Sequence, residues 1–457
     1  MIEFIPLILF ACVFLVLLSG YPVALSLAGT ALLFAAVGIL TGTFDAGDLG
    51  FMPNRLFGII SNQTLIAVPL FVFMGVMLEK TEIARALLTN MSALLRGVRG
   101  GLGLTVIIVG MLLVANTGIV GATVVTMGLM SLPSMLEDNY DAALATGTIS
   151  ATGTLGQIIP PSIALVLLGD VLSNAYQQAQ LSQGVFSPKT VSVGDLFAGA
   201  IIPGLVLVGL YLAYVLSVAR FAPDRVGGST PKPHEPVAPL TLARTLLAPL
   251  ALIGAVLGSI LGGLATPTEA AGVGAIGAVL LAVANGKLSV PVLRETAQAT
   301  VQTTAMVFFI LIGASVFSLV FRGFGGEELI HELFAALPGG MWGALLIVML
   351  IIFLLGFVLD FIEITFVVVP IVGPVLLALG ADPVWLGILI AVNLQTSFLT
   401  PPFGFSLFYL RGVTPPSVST GEMYRGVIPF VFLQLALIAA LCFWPALATW
   451  LPEVLKG

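Results

Sequence analysis

The sequence predicts an all-α polytopic membrane protein that is an inverted repeat of two five-span halves. Three observations lead to this fold class. Apolar residues make up 59% of the 457-residue chain and charged residues only 8%, whereas soluble domains carry about 25% charged residues. Apolar runs of about 20 residues, the length that crosses a bilayer as a helix, recur along the chain. One run in each half is interrupted by hydroxyl residues, glycine and a pair of prolines.

Ten runs are predicted to span the membrane, two of them as broken helices. They are residues 4–19, 22–40, 64–79, 140–170 (broken), 196–219, 245–264, 267–286, 298–320, 383–411 (broken) and 425–449. Two further apolar regions, 100–136 and 340–380, have polar or turn-like centres. Each arm of the first is about 16 residues, or about 24 Å of helix, which is shorter than the ~30 Å hydrocarbon core. Re-entrant hairpins are therefore favoured over pairs of full spans.

The first interruption is residues 150–162, SATGTLGQIIPPS. Pro160 has no amide hydrogen, and its ring disfavours helical geometry at Ile159. The helix is therefore predicted to break, which frees backbone groups at bilayer depth. Such groups are tolerated only where they line a cavity or bind a ligand. Residues 393–406, NLQTSFLTPPFGFS, repeat this pattern in the second half.

A proline- and glycine-rich linker at 220–244 separates a first repeat, 1–219, from a second repeat, 245–457. A shift of 241 positions places Pro160 on Pro401 and Asp141 on Asp382 without a gap. Because five spans precede the linker, the second repeat must enter the membrane from the opposite side. Inverted repeats of this kind, with sites at broken helices, are typical of secondary transporters.

Basic residues predict the orientation. With the linker inside, twelve of the sixteen lysines and arginines fall on the inner side and four on the outer side. Cytoplasmic loops carry such an excess, so both termini are predicted to lie outside. The first span is interpreted as retained, because the N-terminus carries Glu3 and no early basic residue, unlike a signal peptide.

Each half offers two polar interruptions as candidate binding regions, 116–118 with 150–154 and 360–365 with 393–400. Hydroxyl oxygens and carbonyls freed at the C-terminus of a half-helix suit a hard monovalent cation such as Na⁺. The N-termini of half-helices suit a carboxylate. The competing interpretation is that glycine, serine and threonine only allow close helix packing here.

Few charged residues are candidates for function. Asp360 is expected near a cation site, because an ionised carboxylate in a membrane segment costs at least ~2.5 kcal/mol. Glu363 either takes part or only shapes the hairpin tip. Thr266 and Glu269 are predicted to form a capping box, and Arg411 to anchor the inner interface. No phosphate-binding loop, nucleophile–histidine pair or metal-ligand cluster occurs in the sequence, so we do not expect an enzyme.

Five segments together resemble the large membrane subunit of TRAP transporters, the DctM type. They are TGIVGATVVTMGLMSLPSM, GTISATGTLGQIIPPSI, ATPTEAAGV, LDFIEITFVVVP and NLQTSFLTPPFGFSLF. The resemblance covers essentially the whole chain. The variants FVFMGVMLE and DFIEI look most like the mannitol/chloroaromatic or 2-oxo acid-like branch.

The resemblance implies a Na⁺-coupled elevator transporter with a scaffold and a moving transport domain. It implies a bacterial inner-membrane location with both termini in the periplasm, and an organic acid anion as substrate. Two partners are implied: a small four-helix membrane subunit and a periplasmic substrate-binding protein. The small subunit is expected as a separate chain, because no further span precedes residue 1 or follows residue 451.

The resemblance also carries site residues over by position. The first Na⁺ site comprises Asn116, Thr117, Gly118, Ser150, Gly153 and Thr154, and the second comprises Asp360, Asn393, Thr396, Ser397 and Thr400. Candidate substrate contacts are Thr123, Thr152, Gln157, Thr365 and Gln395. No lysine or arginine lies near the inferred site, so bound Na⁺ and helix dipoles would offset the charge of the anion.

Three other functions remain open. A one-component Na⁺/organic anion symporter of the same general fold would need no binding protein. A non-transporting membrane scaffold has no use for backbone gaps at bilayer depth, so the paired breaks argue against it. A channel is also conceivable, but the proline-closed breaks favour occluding binding sites over a continuous pore.

Overall fold

The computed structural model describes residues 4–81, 83–95, 97–117, 120–227 and 239–456, which are almost entirely helical. The helices of the first half are α1 (Ile5–Leu18), α2 (Val23–Thr41), α3 (Met52–Ile60), α4 (Ala67–Lys80), α5 (Ile83–Leu94), α6 (Gly101–Thr117), α7 (Val120–Glu137), α8 (Ala142–Thr154), α9 (Ile163–Ser182) and α10 (Val193–Phe221). Those of the second half are α11 (Pro239–Leu261), α12 (Pro267–Ala284), α13 (Val290–Gly323), α14 (Gly326–Ala335), α15 (Gly340–Leu355), α16 (Phe361–Val367), α17 (Val369–Ala378), α18 (Pro383–Leu399), α19 (Phe405–Arg411), α20 (Thr420–Phe443) and α21 (Ala446–Lys456). The described residues form no β-strand, and the predicted all-α class is confirmed.

Six helices within the described ranges are long and apolar enough to cross a membrane, or eight if each of two interrupted helix pairs counts as one span. The sequence predicted ten spans. Several of the expected ones, including α1 and α18, are apolar helices of 10–17 residues. The chain is therefore a multi-pass membrane protein, and the number and direction of its crossings stay predictions.

Both predicted helix breaks are present. Helix α8 ends at Thr154, a 3₁₀ turn follows at Leu155–Gln157, and α9 begins at Ile163. In the second half α18 ends at Leu399 and α19 begins at Phe405. Each gap contains the proline pair, which cannot continue the backbone hydrogen bonding of the preceding helix.

The two hairpin regions are helix–turn–helix structures. Helix α7, the second arm of the first hairpin, has 18 residues and is long enough to cross a membrane on its own, so our expectation of two short arms is wrong for this arm. In the second hairpin the turn is 356–360, and the returning arm bends by 58° where α16 meets α17. Only Asp360 of the predicted tip 360–365 lies at the turn. The rest of that segment is the start of α16, because a capping box at Asp360 and Glu363 begins the helix there.

The last predicted span, 425–449, is wrong at its end. Helix α20 stops at Phe443, and a separate helix, α21, covers Ala446–Lys456. The reason is Pro445, which disfavours helical geometry at the residue before it. Trp444 accordingly has φ −131° and ψ 77°.

The chain forms two compact units, each drawing on both sides of the linker. The first unit comprises Met1–Ile66, Leu167–Ser192 and Gln302–Leu386. Helices α1 and α2 pack together in it, and the second hairpin lies within it. A polar network at its surface joins Gln178 to Glu327 at 3.1 Å and pairs Arg322 with the same carboxylate.

The second unit comprises Ala67–Val166, Val193–Val301 and Gly387–Gly457. Helix α8 is its interior element, contacted by α6, α7, α19 and α20. Every residue of α8 from Leu144 to Thr154 is buried. Its sequence of alanine, glycine, serine and threonine, without a charge, fits a helix surrounded by protein on all sides.

Candidate functional site

The first break lies at the C-terminal end of α8. The helix begins at Asp141, whose Oδ1 accepts a hydrogen bond of 2.8 Å from the Leu144 amide. Thirteen residues later it ends at Thr154. The side chains of Ser150, Thr152 and Thr154 are all 0% exposed. The break thus supplies hydroxyl oxygens in a place without access to solvent.

The first hairpin packs directly on this break, through glycines. A Cβ on Gly110 of α6 would lie 2.1 Å from the Thr152 methyl carbon, and a Cβ on Gly153 would lie 2.2 Å from Val124 of α7. Gly156 likewise faces Val114 of α6, at 2.5 Å. These contacts fit the predicted pairing of the hairpin with the first break. The side chains of Asn116 and Thr117, and the whole of Gly118, lie outside the described residues.

The two breaks also contact each other inside the second unit, which the sequence did not predict. Ser406 Oγ of α19 donates to the carbonyl oxygen of Ser150 at 3.0 Å. Gln395 Nε2 of α18 donates to Thr154 Oγ1 at 3.3 Å. The polar segments of the two halves therefore form one cluster, whereas the sequence indicated only a hairpin tip as the partner of each break.

Two residues that sequence reasoning missed complete this cluster. Gln434 of α20 donates through Nε2 to Tyr211 Oη of α10 at 2.8 Å and to Thr154 Oγ1 at 3.4 Å. Both are 0% exposed. A signal for Gln434 was available, since it is a lone amide in the apolar run VIPFVFLQLALIAAL, and a polar residue in a membrane helix faces the protein interior. Tyr211 carried no comparable signal.

Unpaired polar atoms concentrate here. Among the described residues, ten buried side-chain nitrogen or oxygen atoms have no hydrogen-bond partner, and six of them belong to this region. The six are Ser150 Oγ, Thr152 Oγ1, both amide atoms of Gln157, Gln395 Oε1 and Gln434 Oε1. An unpaired buried polar atom costs about 1–3 kcal/mol, so such a concentration calls for an explanation, such as an ion or ligand.

The remaining candidates of the second half divide between the two units. On α18, Thr396 Oγ1 donates to the Val392 carbonyl at 2.7 Å, and just after the helix Thr400 Oγ1 donates to the Thr396 carbonyl at 2.7 Å. Asn393 and Ser397 are buried beside them. These hydrogen bonds to carbonyl groups of the preceding turn satisfy the hydroxyl groups within their own segment. They agree with the interpretation that these residues only allow close helix packing, and equally with a binding site.

Asp360 belongs to the first unit, where it is the N-cap residue of α16. Its amide donates to Glu363 Oε2 at 2.9 Å, so Glu363 shapes the hairpin tip, one of the two roles expected for it. Thr365, two residues after Glu363, is 0% exposed, and its Oγ1 has no partner in the described chain. Thr123 of α7, in the second unit, is also buried, with 4% exposure.

Other polar groups are structural. The predicted capping box is present, with Thr266 at the N-cap of α12 and its amide donating to Glu269 Oε2 at 2.7 Å. Arg411 is exposed and donates from Nη1 to the Val418 carbonyl at 2.6 Å. Neither group contacts the cluster at the breaks, which is built from hydroxyl, amide and carbonyl groups. Such neutral oxygens can bind a monovalent cation, and helix C-termini add partial negative charge.

Known proteins place the chain in a family. The family model for the tripartite ATP-independent periplasmic transporter, DctM component, matches residues 10–447. The C4-dicarboxylate TRAP transporter large permease protein DctM of Rhodobacter capsulatus is 29% identical over 452 residues, covering 98% of this chain and 99% of that protein. The sialic acid TRAP transporter large permease protein SiaM of Vibrio cholerae is 28% identical over 96% of this chain and 97% of its own length.

A solved structure has the same fold. The YdaH transporter of Alcanivorax borkumensis superposes with a TM-score of 0.61, over 88% of this chain and 90% of that chain, at 16% identity. That likeness concerns the fold alone, whereas the family match runs along nearly the whole sequence. The chain belongs to the DctM family, the large permease subunits of TRAP transporters.

Proposed function

We propose that the chain imports an organic acid anion together with Na⁺, by an elevator movement, as one part of a three-component system. The observation that carries the proposal is the concentration of buried, unpaired polar atoms where the two helix breaks meet. Protein interiors rarely leave such atoms without a partner. A cation with oxygen ligands would satisfy the carbonyl and hydroxyl oxygens among them.

Charge balance supports Na⁺ coupling. The side chains at the meeting of the breaks, from Ser150 to Gln157 and at Gln395 and Gln434, are all neutral. An anion buried among neutral groups is costly without a compensating charge. Bound Na⁺ would provide that charge, and half-helix N-termini would contribute their dipoles.

The proposed substrate class and partners are inferred from related proteins. Two similar permeases are named for C4-dicarboxylates and for sialic acid, which supports an acid as the substrate here. The family is described as tripartite and periplasmic. We therefore include a periplasmic binding protein and a small membrane subunit in the system, and we assign the chain to the bacterial inner membrane with both termini in the periplasm.

Reconstitution would test the proposal. The chain, with the small subunit and binding protein proposed as its partners, would be placed in proteoliposomes and supplied with the acid that the binding protein binds. We expect uptake only with an inward Na⁺ gradient and with the binding protein present. Replacement of Na⁺ by K⁺ at equal ionic strength is the control. Undiminished uptake in K⁺ would refute the coupling, and uptake without the binding protein would indicate a one-component symporter.

A further inference from the structure

Four helices of the second unit each contribute one polar side chain to a single point in the interior. They are Thr154 from α8, Tyr211 from α10, Gln395 from α18 and Gln434 from α20, each 0% exposed. Thr154 and Gln395 belong to the two breaks. Tyr211 and Gln434 belong to helices without a break at this level, so their part in the cluster needs a separate explanation.

The hydrogen bonds form an ordered chain that ends at Thr154. A hydroxyl group has one hydrogen to donate and two lone pairs that accept. Thr154 Oγ1 donates to the Ala151 carbonyl at 2.8 Å and accepts from Gln395 and Gln434 at 3.3 Å and 3.4 Å. All three of its bonding positions are therefore used. Gln434 in turn uses both amide hydrogens, on Thr154 and on Tyr211.

This arrangement leaves the carbonyl oxygens of both glutamines unpaired among the described residues. Packing alone does not require that, since a leucine has a similar volume and no polar atom to bury. Replacement of both partners of a buried polar contact by apolar groups is often neutral or stabilising. The amide at position 434 therefore fits a role in function better than a role in packing.

We propose that Gln434 and Tyr211 are positioning residues that hold the Gln395 amide in the orientation in which its unpaired carbonyl oxygen binds Na⁺. Tyr211 fixes the amide plane of Gln434, and Gln434 then fixes the Thr154 side chain and, through the shared hydroxyl, the Gln395 amide. The assignment rests on the proposed Na⁺ coupling and adds two residues that act on the site through others. Partners that orient a metal ligand typically change metal affinity 10–100-fold when removed.

The test measures Na⁺ binding to the full chain, with Na⁺ alone as the probe. The thermal unfolding midpoint of the purified protein in lipid nanodiscs is followed during a NaCl titration, with choline chloride keeping the ionic strength constant. Because a ligand that binds the folded state raises this midpoint, the titration gives a half-saturating Na⁺ concentration. The variants are Gln434→Leu, Tyr211→Phe and the double substitution.

Two control variants make the same kinds of substitution outside the cluster. Tyr214→Phe removes a hydroxyl one turn along α10, from a ring that packs on Phe430 at 5.1 Å just as the ring of Tyr211 does. Gln302→Leu removes an exposed amide from α13. Both controls are expected to keep the native half-saturating Na⁺ concentration.

We expect Gln434→Leu and Tyr211→Phe each to raise the half-saturating concentration, by about tenfold for Gln434→Leu. The double variant is expected to raise it at least as far as Gln434→Leu, because the Tyr211 hydroxyl also interacts with Gln395 and Thr154. A changed midpoint in Na⁺-free buffer with an unchanged half-saturating concentration would assign the pair to packing and overturn the proposal. If the native chain gains no stability from Na⁺ beyond that from choline, the proposed coupling itself fails, and this assignment fails with it.

Discussion

Gly147 of α8 and Gly426 of α20 bring two helix backbones into direct contact. A Cβ on Gly147 would lie 2.1 Å from the Gly426 carbonyl oxygen, and a Cβ on Gly426 would lie 1.9 Å from the Ala143 carbonyl oxygen. No side chain fits between the helices at this point. The contact explains why glycine stands in the middle of two helices, where it normally costs about 0.5–1 kcal/mol relative to alanine.

Gly147→Ala is expected to destabilise the protein by about 1–3 kcal/mol, the usual cost of overpacking a close contact. The measurement is the thermal or denaturant unfolding of the purified chain. Gly209→Ala is the control, because a Cβ on Gly209 of α10 would meet no atom within 4 Å. There the change should be neutral or stabilising, since alanine is the better helix former. Equal effects at both positions would contradict the backbone contact.

Asp360→Ala is expected to abolish Na⁺-dependent transport while the protein still reaches the membrane. Asp360 is also the first residue of the capping box of α16, so the loss could come from the charge or from the cap. Asp360→Asn separates the two, since asparagine caps a helix as well as aspartate does but carries no charge. We expect both variants to be inactive. Normal transport by Asp360→Asn would restrict Asp360 to its capping role.

Thr152→Val is expected to leave stability unchanged or slightly raised and to reduce transport at least tenfold. The Thr152 hydroxyl has no hydrogen-bond partner among the described residues, so its removal breaks no internal bond, whereas a substrate or ion that uses it would lose a ligand. Thr296→Val is the matched control, because that hydroxyl is also buried and unpaired but lies on α13. Equal transport by the two variants would remove Thr152 from the candidate site.

Ser406→Ala is expected to lower the free energy of unfolding by about 1 kcal/mol, because the Ser150 carbonyl loses its buried donor. Ser217→Ala is the comparison. Its hydroxyl bonds only its own helix, at the Ala213 carbonyl, and is exposed, so the change should stay within about 0.5 kcal/mol. If Ser406→Ala leaves the free energy of unfolding unchanged, measured under the same conditions as the native chain, this hydrogen bond does not hold the two breaks together.

The sequence predicts the local features of the fold well, because their causes are local. Pro160 and Pro401 each disrupt a helix wherever they occur in one, and the Thr266 capping box needs only four consecutive residues. The end of the last span was misplaced even so, since the effect of Pro445 on Trp444 was overlooked in a long apolar run.

The candidate site was less predictable because its members meet only after folding. Thr154, Gln395 and Gln434 are separated by 241 and then 39 positions. The alignment of the two halves indicated that the two breaks are similar, but it did not indicate that they are in contact. Gly147 and Gly426 carry no motif of their own. Their role depends on which helix crosses which, and hydropathy does not encode that.

Helix α20 contacts α8 at two levels. Gly426 meets its backbone, and Gln434, eight residues further along, meets Thr154 at its end, which is about 12 Å of helix rise. Two attachments at that separation oppose both sliding and rotation of one helix against the other. If α8 changes its height in the membrane during a transport cycle, α20 travels with it. A cysteine pair that joins these two helices should therefore leave transport intact, whereas a pair that joins α8 to a stationary helix should stop it.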